Sequence, residues 1–355
     1  MNPLPLEDLP ARLVTLAQRY DAAPAWPQES IDLVAAAGCW KWVIPQRYGG
    51  EPLVYAELLR SYETIARGCL TTALLLTQRD AGCDLIARGE NDALKERLLP
   101  EHAAGRRFTS IGIAQLTTSL DRRGPKLRAT RAGDGFRLDG VIPWVSGACR
   151  CDEIVTGAVL PDGMQILACV PCDAAGLTLE PPLKLLALEA SCTSRVRCDA
   201  VRIGPEHMVR GPRETVLSRR SPVKGLTVSA VGLGAAGALV DRLRERADAV
   251  RGGELRAAVE TIAGYTAAYE RLRDDFYAAA DRLAEDAETP GVELRVRVND
   301  LLVRLAAALL CLSKGAGFVR PSAAERLLRE AMFFEVWSAP PDVQAGTLER
   351  LVPRG

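Results

Sequence analysis

Through the first hundred or so residues, apolar side chains return every three or four positions, the spacing that lays one stripe along a helix. "QESIDLVAAAG", residues 28–38, shows the pattern and stops at Gly38, a residue suited to a helix C-cap. "YAELLRSYETIARG" repeats it over residues 55–68, closing on a second glycine. "NDALKERLLPEHAAG" opens on an Asn-Asp cap and ends at Gly105, while "VIPQRYGG" reads as a turn. From Phe108 to about Val209 the period changes. Short β-branched runs ("KLRATRA", "GFRLDG", "EIVTGAVL", "MQILACV", "CTSRVRC") are punctuated by "GDG" and "PDGM" turns. Their spacing of roughly ten residues predicts an antiparallel sandwich or barrel. From about Leu226 the helical period returns, and "VNDLLVRLAAALLCL" sets Val298, Leu301, Leu302, Leu305, Leu309 and Leu312 on one stripe of a bundle helix. The predicted fold is α+β and multidomain. An N-terminal helical domain covers residues 1–107, a middle antiparallel β domain 108–215 and a C-terminal helical bundle 216–355.

Composition narrows the function classes. The chain has 355 residues, 48% hydrophobic and 25% charged, with zero formal net charge. Nothing in that balance attracts a nucleic acid or an anionic membrane. No uninterrupted apolar run of roughly eighteen residues is present, and no apolar stretch with a basic flank opens the sequence. Neither a membrane span nor a signal peptide is predicted, and cytoplasm is the expected compartment. The ten cysteines are therefore expected as thiols. Cys149-x-Cys151 and Cys169-x-x-Cys172 have spacings that zinc sites also use. Small thiols alternating along a buried strand explain "QILACVPC" equally well, His102 and His207 are the only histidines, and no bound metal is expected.

Three stretches carry candidate chemistry. "GLGAAG", Gly232 to Gly237, fits the G-x-G-x-x-G dinucleotide pattern, with "LTVSAV" before it and "ALVDRLRER" after it. No second strand ending in an acid follows at the required distance, so close helix packing is the favoured reading. "DGVIPWVSGA", Asp139 to Ala148, places Trp144 beside Ser146 and Gly147 at the end of a strand. Such a pair either covers a planar cofactor and bonds its edge, or is a core indole beside a turn. "EAMFFEVWSAPPDVQ", residues 330–344, crowds Phe333, Phe334 and Trp337 onto the end of a helix before Ser338 and a Pro pair.

Taken together these stretches resemble the acyl-CoA dehydrogenase family of flavoproteins over essentially the whole chain. Gly38 with "VIPQRYGG" is similar to that family's N-terminal glycine, proline and Tyr-Gly-Gly segment, and "LKERLLPEHAAGRRF" to the helix that enters its β domain. "GFRLDGVIPWVSGA" resembles its Trp-bearing strand pair, and "GAGFVRPSAAERLLREAMFFEVW" its C-terminal loop and helix. The resemblance implies a helical domain, a β-barrel domain and a four-helix C-terminal bundle, assembled as a homodimer or homotetramer. It implies FAD, with FMN possible, an acyl thioester substrate and an electron-transferring flavoprotein as partner. By position, Trp144, Val145 and Ser146 would contact the flavin, as would the backbone of Ile113 and Ala114, Arg251 and Gly315. Ser119 matches a pantetheine contact, Trp337 the wall of the acyl pocket, and Arg219, Arg220 and Lys224 would either face CoA phosphates or form a solvated loop.

The departures matter as much. The segment that clasps FAD across the family's dimer is reduced to "AVRGGELR", with Gly253 in register and Arg251 displaced, and Lys314 occupies a glycine position. Ser338 stands where the family carries the glutamate that removes the substrate α-proton. A hydroxyl without a partner to activate it is no such base. Glu335 and Asp342 are the acids near enough to substitute, or else they are surface carboxylates. The expected function is a flavin-dependent oxidoreductase of acyl thioesters. A flavin monooxygenase on the same scaffold, which needs no α-proton base, and a catalytically inactive binding protein are the alternatives.

Overall fold

A computed structural model describes residues 4–117, 124–217, 223–249, 256–282 and 290–352. Five helices come first: α1 (Leu9–Ala22), α2 (Gln28–Ala36), α3 (Tyr55–Gly68), α4 (Leu70–Ala87) and α5 (Asp92–Ala103). The expected caps are present at two of them. Gly38, just past α2, is left-handed at φ 80°, and the Asn91 side chain accepts from Leu94 N at the head of α5. Gly68 has a different task, because a Cβ there would lie 2.7 Å from Pro10 Cα, so it lets α1 close onto α3. α4 has almost no exposed face. Leu70, Leu74, Leu75, Leu76, Cys83 and Ile86 are all buried, as are Arg79 and Asp80, so it runs through the middle of the domain.

The middle of the chain forms one eight-stranded sheet: β1 (Thr109–Gly112), β2 (Leu127–Ala132), β3 (Gly135–Val145), β4 (Glu153–Val159), β5 (Gln165–Pro171), β6 (Leu177–Leu179), β7 (Ser194–Ile203) and β8 (Met208–Arg213). The order is β6-β7-β3-β2-β4-β5-β8. Pairing is mostly antiparallel, as the turn signals predict, with β1 added parallel to β4 and a single parallel bridge from β2 to β4. β4 and β5 read as nearly continuous apolar runs because both of their faces are covered. Ile154, Ala158, Ile166, Ala168 and Val170 pack inside the sheet domain, whereas Val155, Leu167 and Cys169 pack with Leu94, Leu98 and Ile86 of the helices.

The chain then returns to helix: α6 (Val223–Ala249), α7 (Arg256–Arg282), α8 (Gly291–Ser313), α9 (Ala323–Phe333) and α10 (Pro341–Leu351). The "GLGAAG" stretch lies wholly inside α6, which excludes the strand-turn-helix that a dinucleotide fingerprint needs. A Cβ on Gly234 would sit 2.2 Å from the Glu63 carbonyl oxygen, and one on Gly232 2.6 Å from Val298 Cγ1. These glycines let α6 approach α3 and α8 at backbone distance. Leu226–Ala247 and Gly291–Phe318 are long and apolar enough, by length and composition, to cross a membrane, although charged residues interrupt both runs. Here they are bundle helices, and 72% of the most apolar window of the first is buried.

Buried polar groups join the parts. Glu63 of α3 accepts from Tyr269 Oη at 3.1 Å, from Arg273 Nε at 2.6 Å and from Tyr277 Oη, fastening α7 to the N-terminal helices. Arg79, almost wholly buried, donates to Asp80 at 2.7 Å and to the His102 carbonyl at 2.8 Å, and Tyr62 caps the same Asp80. Each charge is matched, as burial requires.

Candidate functional site

The turn that carries Trp144 is shaped by a break in strand alternation. β3 loses register with β7 between Ile142 and Val145, so Ile142 and Val145 both point inward. An irregularity of this kind re-aims the residue beside it. Trp144 accordingly faces outward and is 49% exposed, which excludes the reading of a core indole. Ser146 follows, and Gly147 at φ 76° turns the chain into a short 3-10 segment, Ala148–Arg150. Beside it β1 ends at Gly112, where a Cβ would lie 2.3 Å from Ile142 Cγ2 and 3.1 Å from Val145 Cγ2. Only a glycine lets β1 run this close, and the result is to bring Ile113 and Ala114 alongside the end of β3. The buried Gln115 amide fixes that turn by donating to Gly112 O at 2.9 Å and Gly157 O at 2.8 Å.

A second turn faces the first. Ser146 Oγ shares a hydrogen bond of 3.0 Å with Thr193 Oγ1, which shares another of 2.8 Å with Ser191 Oγ. Gly147 N donates to Ser191 O at 2.8 Å. The loop leading there sends Ala187 and Leu188 into the helical core. On the bundle side, Arg329 of α9 donates to Leu186 O at 2.9 Å and pairs with Asp21 of α1 and Glu325. One guanidinium thus joins α1, the β domain and the bundle.

The aromatic wall lies just past α9. Phe333 stacks on Trp337 with centroids 5.2 Å apart, and Phe334 meets Trp337 edge-on at 5.9 Å. Phe334 is fully buried in the bundle core, while Phe333 and Trp337 are partly covered. Arg295 of α8 donates to Phe334 O at 2.7 Å and Trp337 O at 3.0 Å, and Asn299 supports Arg295 at 2.9 Å. Burial lowers the Arg295 guanidinium to about 10. The turn delivers Ser338 exposed and left-handed at φ 45°. Glu335 lies within the field of Arg295 and Asp300; burial raises its carboxyl, against the pull of Arg295, and its Oε1 is buried without a hydrogen bond.

The structure therefore gathers Ile113, Ala114, Trp144, Val145 and Ser146 at one end of the sheet, and Glu335, Trp337 and Ser338 at the end of α9. Asp342 sits in the first turn of α10, and Gly315 lies in the 3-10 segment Lys314–Phe318 with open space around it. Ser119, Arg219, Arg220, Arg251 and Gly253 lie outside the described residues, as does the side chain of Lys224 in α6. Among the described residues no three His, Cys, Asp or Glu side chains come together to hold a metal. Gln115, Ser191, Thr193, Arg295 and Asn299 are parts of the site that no sequence motif marks.

The family profile described as acyl-CoA dehydrogenase, N-terminal domain, matches residues 9–106. A probable acyl-CoA dehydrogenase of Mycobacterium leprae, FadE25, is 24% identical over 95% of this chain and 90% of its own length. The N-terminal part of the chain thus matches the acyl-CoA dehydrogenase profile, and the whole chain is similar in sequence to members of that family. The fold extends the likeness throughout. A glutaryl-coenzyme A dehydrogenase solved with glutaryl-CoA superposes with a TM-score of 0.84, at 20% identity, covering 98% of this chain and 95% of that one. FMN-bound TdsC from Paenibacillus sp. A11-2, a dibenzothiophene monooxygenase, superposes at 0.83 with 15% identity, over 98% and 94%. The two clusters are chemically distinct. One offers a flat aromatic, a hydroxyl and strand-end backbone, and the other an aromatic wall with a hydroxyl at its tip.

Proposed function

We propose that the protein is a flavin-dependent oxidoreductase acting on an acyl thioester, with FAD as cofactor and FMN as the alternative. The observation that carries this reading is Trp144, an indole left half exposed at a strand end with Ser146 and the Ile113–Ala114 turn beside it. An exposed aromatic plane next to a hydroxyl fits a planar heterocycle with hydrogen-bonding edges, and the family supports the same assignment. When bound, the flavin supplies a two-electron acceptor. Trp144 would cover one face and exclude water, and Ser146, oriented by Thr193, would bond the ring edge. The Phe333–Trp337 stack would wall the acyl pocket. The electron-transferring flavoprotein found among the fold neighbours supports a redox partner of that kind. The exposed Val336, Leu348, Leu351 and Val352 support a homodimer or homotetramer.

The base is the open position in this scheme. Among the described residues Ser338 has no activating partner, so removal of a substrate α-proton falls to Glu335, which must first leave the field of Arg295. That same feature favours a second reading, oxygen activation by reduced flavin, which needs no α-proton base.

The deciding experiment is the visible spectrum of the purified protein, followed by anaerobic titration with a panel of acyl-CoA thioesters. Flavin absorption that bleaches with a thioester supports the dehydrogenase. Flavin that bleaches only with a reductase, then consumes oxygen, supports the monooxygenase. A colourless protein that takes up neither FAD nor FMN leaves the inactive binding protein and overturns both redox readings.

A further inference from the structure

The two turns that meet at Ser146 and Thr193 also carry two cysteines. Cys149 is exposed in the 3-10 segment after Gly147, and Cys192 is half-buried with its backbone left-handed at φ 48°. Val145 pairs with Ser194 across β3 and β7, Ser146 bonds Thr193, and Gly147 N reaches Ser191 O. That ladder skips Cys192, which lies between the bonded Ser191 and Thr193, and it leaves Cys149 two residues past Gly147 on the facing turn; each thiol is the largest influence on the other's ionisation. Three other cysteines of the β domain are placed differently. Cys151 donates to Gly147 O at 3.4 Å, and it, Cys169 and Cys198 are buried.

We propose that Cys149 and Cys192 form a redox-active dithiol that small disulfides oxidise to an intramolecular disulfide bridging the turns beside Trp144 and Ser146. The hydrogen bond from Cys192, together with nearby Arg150, outweighs burial and lowers the Cys149 thiol to about 7, while the same hydrogen bond and burial raise Cys192. Cys149 is thus the attacking thiolate at neutral pH and Cys192 the resolving thiol. In the first step the Cys149 thiolate attacks one sulfur of the oxidant, the oxidant S–S bond breaks, and the departing thiolate takes up a proton. In the second, Cys192 gives up its proton and attacks the Cys149 sulfur of the mixed disulfide, expelling a second small thiol. The protein loses two electrons and two protons, and the small disulfide gains them. The closed bridge braces the wall that Trp144 and Ser146 present, without any contribution from a cofactor.

Peptide mapping by mass spectrometry tests this on the native full-length protein. After incubation with oxidised glutathione and alkylation of the remaining thiols, the expected product is a Cys149–Cys192 linked peptide that dithiothreitol reverses. Cys192→Ser is expected to stall as a glutathione adduct on Cys149. Cys149→Ser is expected to leave Cys192 modified at least tenfold more slowly than Cys149 is in the intact protein. Alkylation of Cys149 by iodoacetamide is expected to rise through a midpoint near pH 7. A glutathione adduct that persists on Cys149 of the unmutated protein, a link to any other cysteine, or no modification at all would overturn the proposal. The unmutated protein gives these outcomes by itself, so misfolding of either variant leaves the test standing.

Discussion

At Ser338 a side chain with a Cβ is held at φ 45°. That conformation costs a non-glycine residue about 1–2 kcal/mol. Arg295 offsets the cost by taking the carbonyls of Phe334 and Trp337 on either side of Glu335 and Val336, which fixes the turn from the α8 side. Ser338→Gly is therefore expected to raise unfolding stability by about 0.5–1 kcal/mol, read as a higher denaturant midpoint at unchanged slope. A site that keeps a strained residue where a glycine fits better commonly serves function. The α-proton question belongs to the same few residues. Glu335→Gln is expected to slow flavin bleaching by an acyl-CoA at least a hundredfold if Glu335 is the base. Unchanged stopped-flow rates would remove it from the reaction. Trp144 was legible from sequence as a strand-end indole beside a hydroxyl. What excluded the core-indole reading was the register slip in β3, which depends on β7 some fifty residues away and leaves no local mark.

Helices set their spacing by what is missing from their surfaces. Gly234→Ala would drive a methyl to within 2.2 Å of the Glu63 carbonyl oxygen and 2.7 Å of Ala66 Cβ. Backbone cannot yield as a side chain does, and the expected loss is about 2–3 kcal/mol. Gly264, inside α7 and exposed with nothing within 4 Å, is the control. Its change to alanine is expected to stabilise by about 0.5–1 kcal/mol through helix propensity alone, and thermal denaturation of the two variants measures the contrast. The helices with one apolar stripe, α2, α3, α5 and α8, were readable from their period. α4 was not, because a helix buried all round, with Arg79 and Asp80 among its buried residues, carries no clean periodic signal. In α6 the letters of a nucleotide motif proved to be contact glycines, since three small residues at that spacing suit a phosphate turn and a close helix crossing alike. Gln115, Thr193 and Arg295 escaped detection for a different reason: each acquires its role from a partner more than thirty residues away.

For the molecule as a whole, the link between helical domain and sheet passes through Glu153 at the head of β4. Its carboxylate lies 2.8 Å from His102 Nε2 and also pairs with Arg107. Burial would push this carboxyl up, but His102 and Arg107 outweigh it and hold it below its ordinary value. The native state therefore binds fewer protons here than the unfolded chain. The resulting stability is fully present above the unfolded carboxyl value of about 4.3 and is lost as pH falls through the lower folded value. Denaturant titrations from pH 6 to pH 3 are expected to show a steep acid loss in the unmutated protein. The Glu153→Gln variant is expected to start about 3 kcal/mol less stable and to lose less with acid. The three-part order, helices then strands then helices, was plain from the change of period. The fastening between the parts was not, because it rests on single side chains such as Glu153 and Arg329.

Leu188 reaches out of the sheet domain to end among the helices, with Arg329 holding the carbonyl two residues before it. The sheet and the helices are then expected to depend on each other for stability. Excising the strands would open a hole in the helical interior, and expressing them alone would leave a bare aliphatic peg in water. Calorimetry on the intact chain is expected to record one heat-absorption peak, with all three regions melting together.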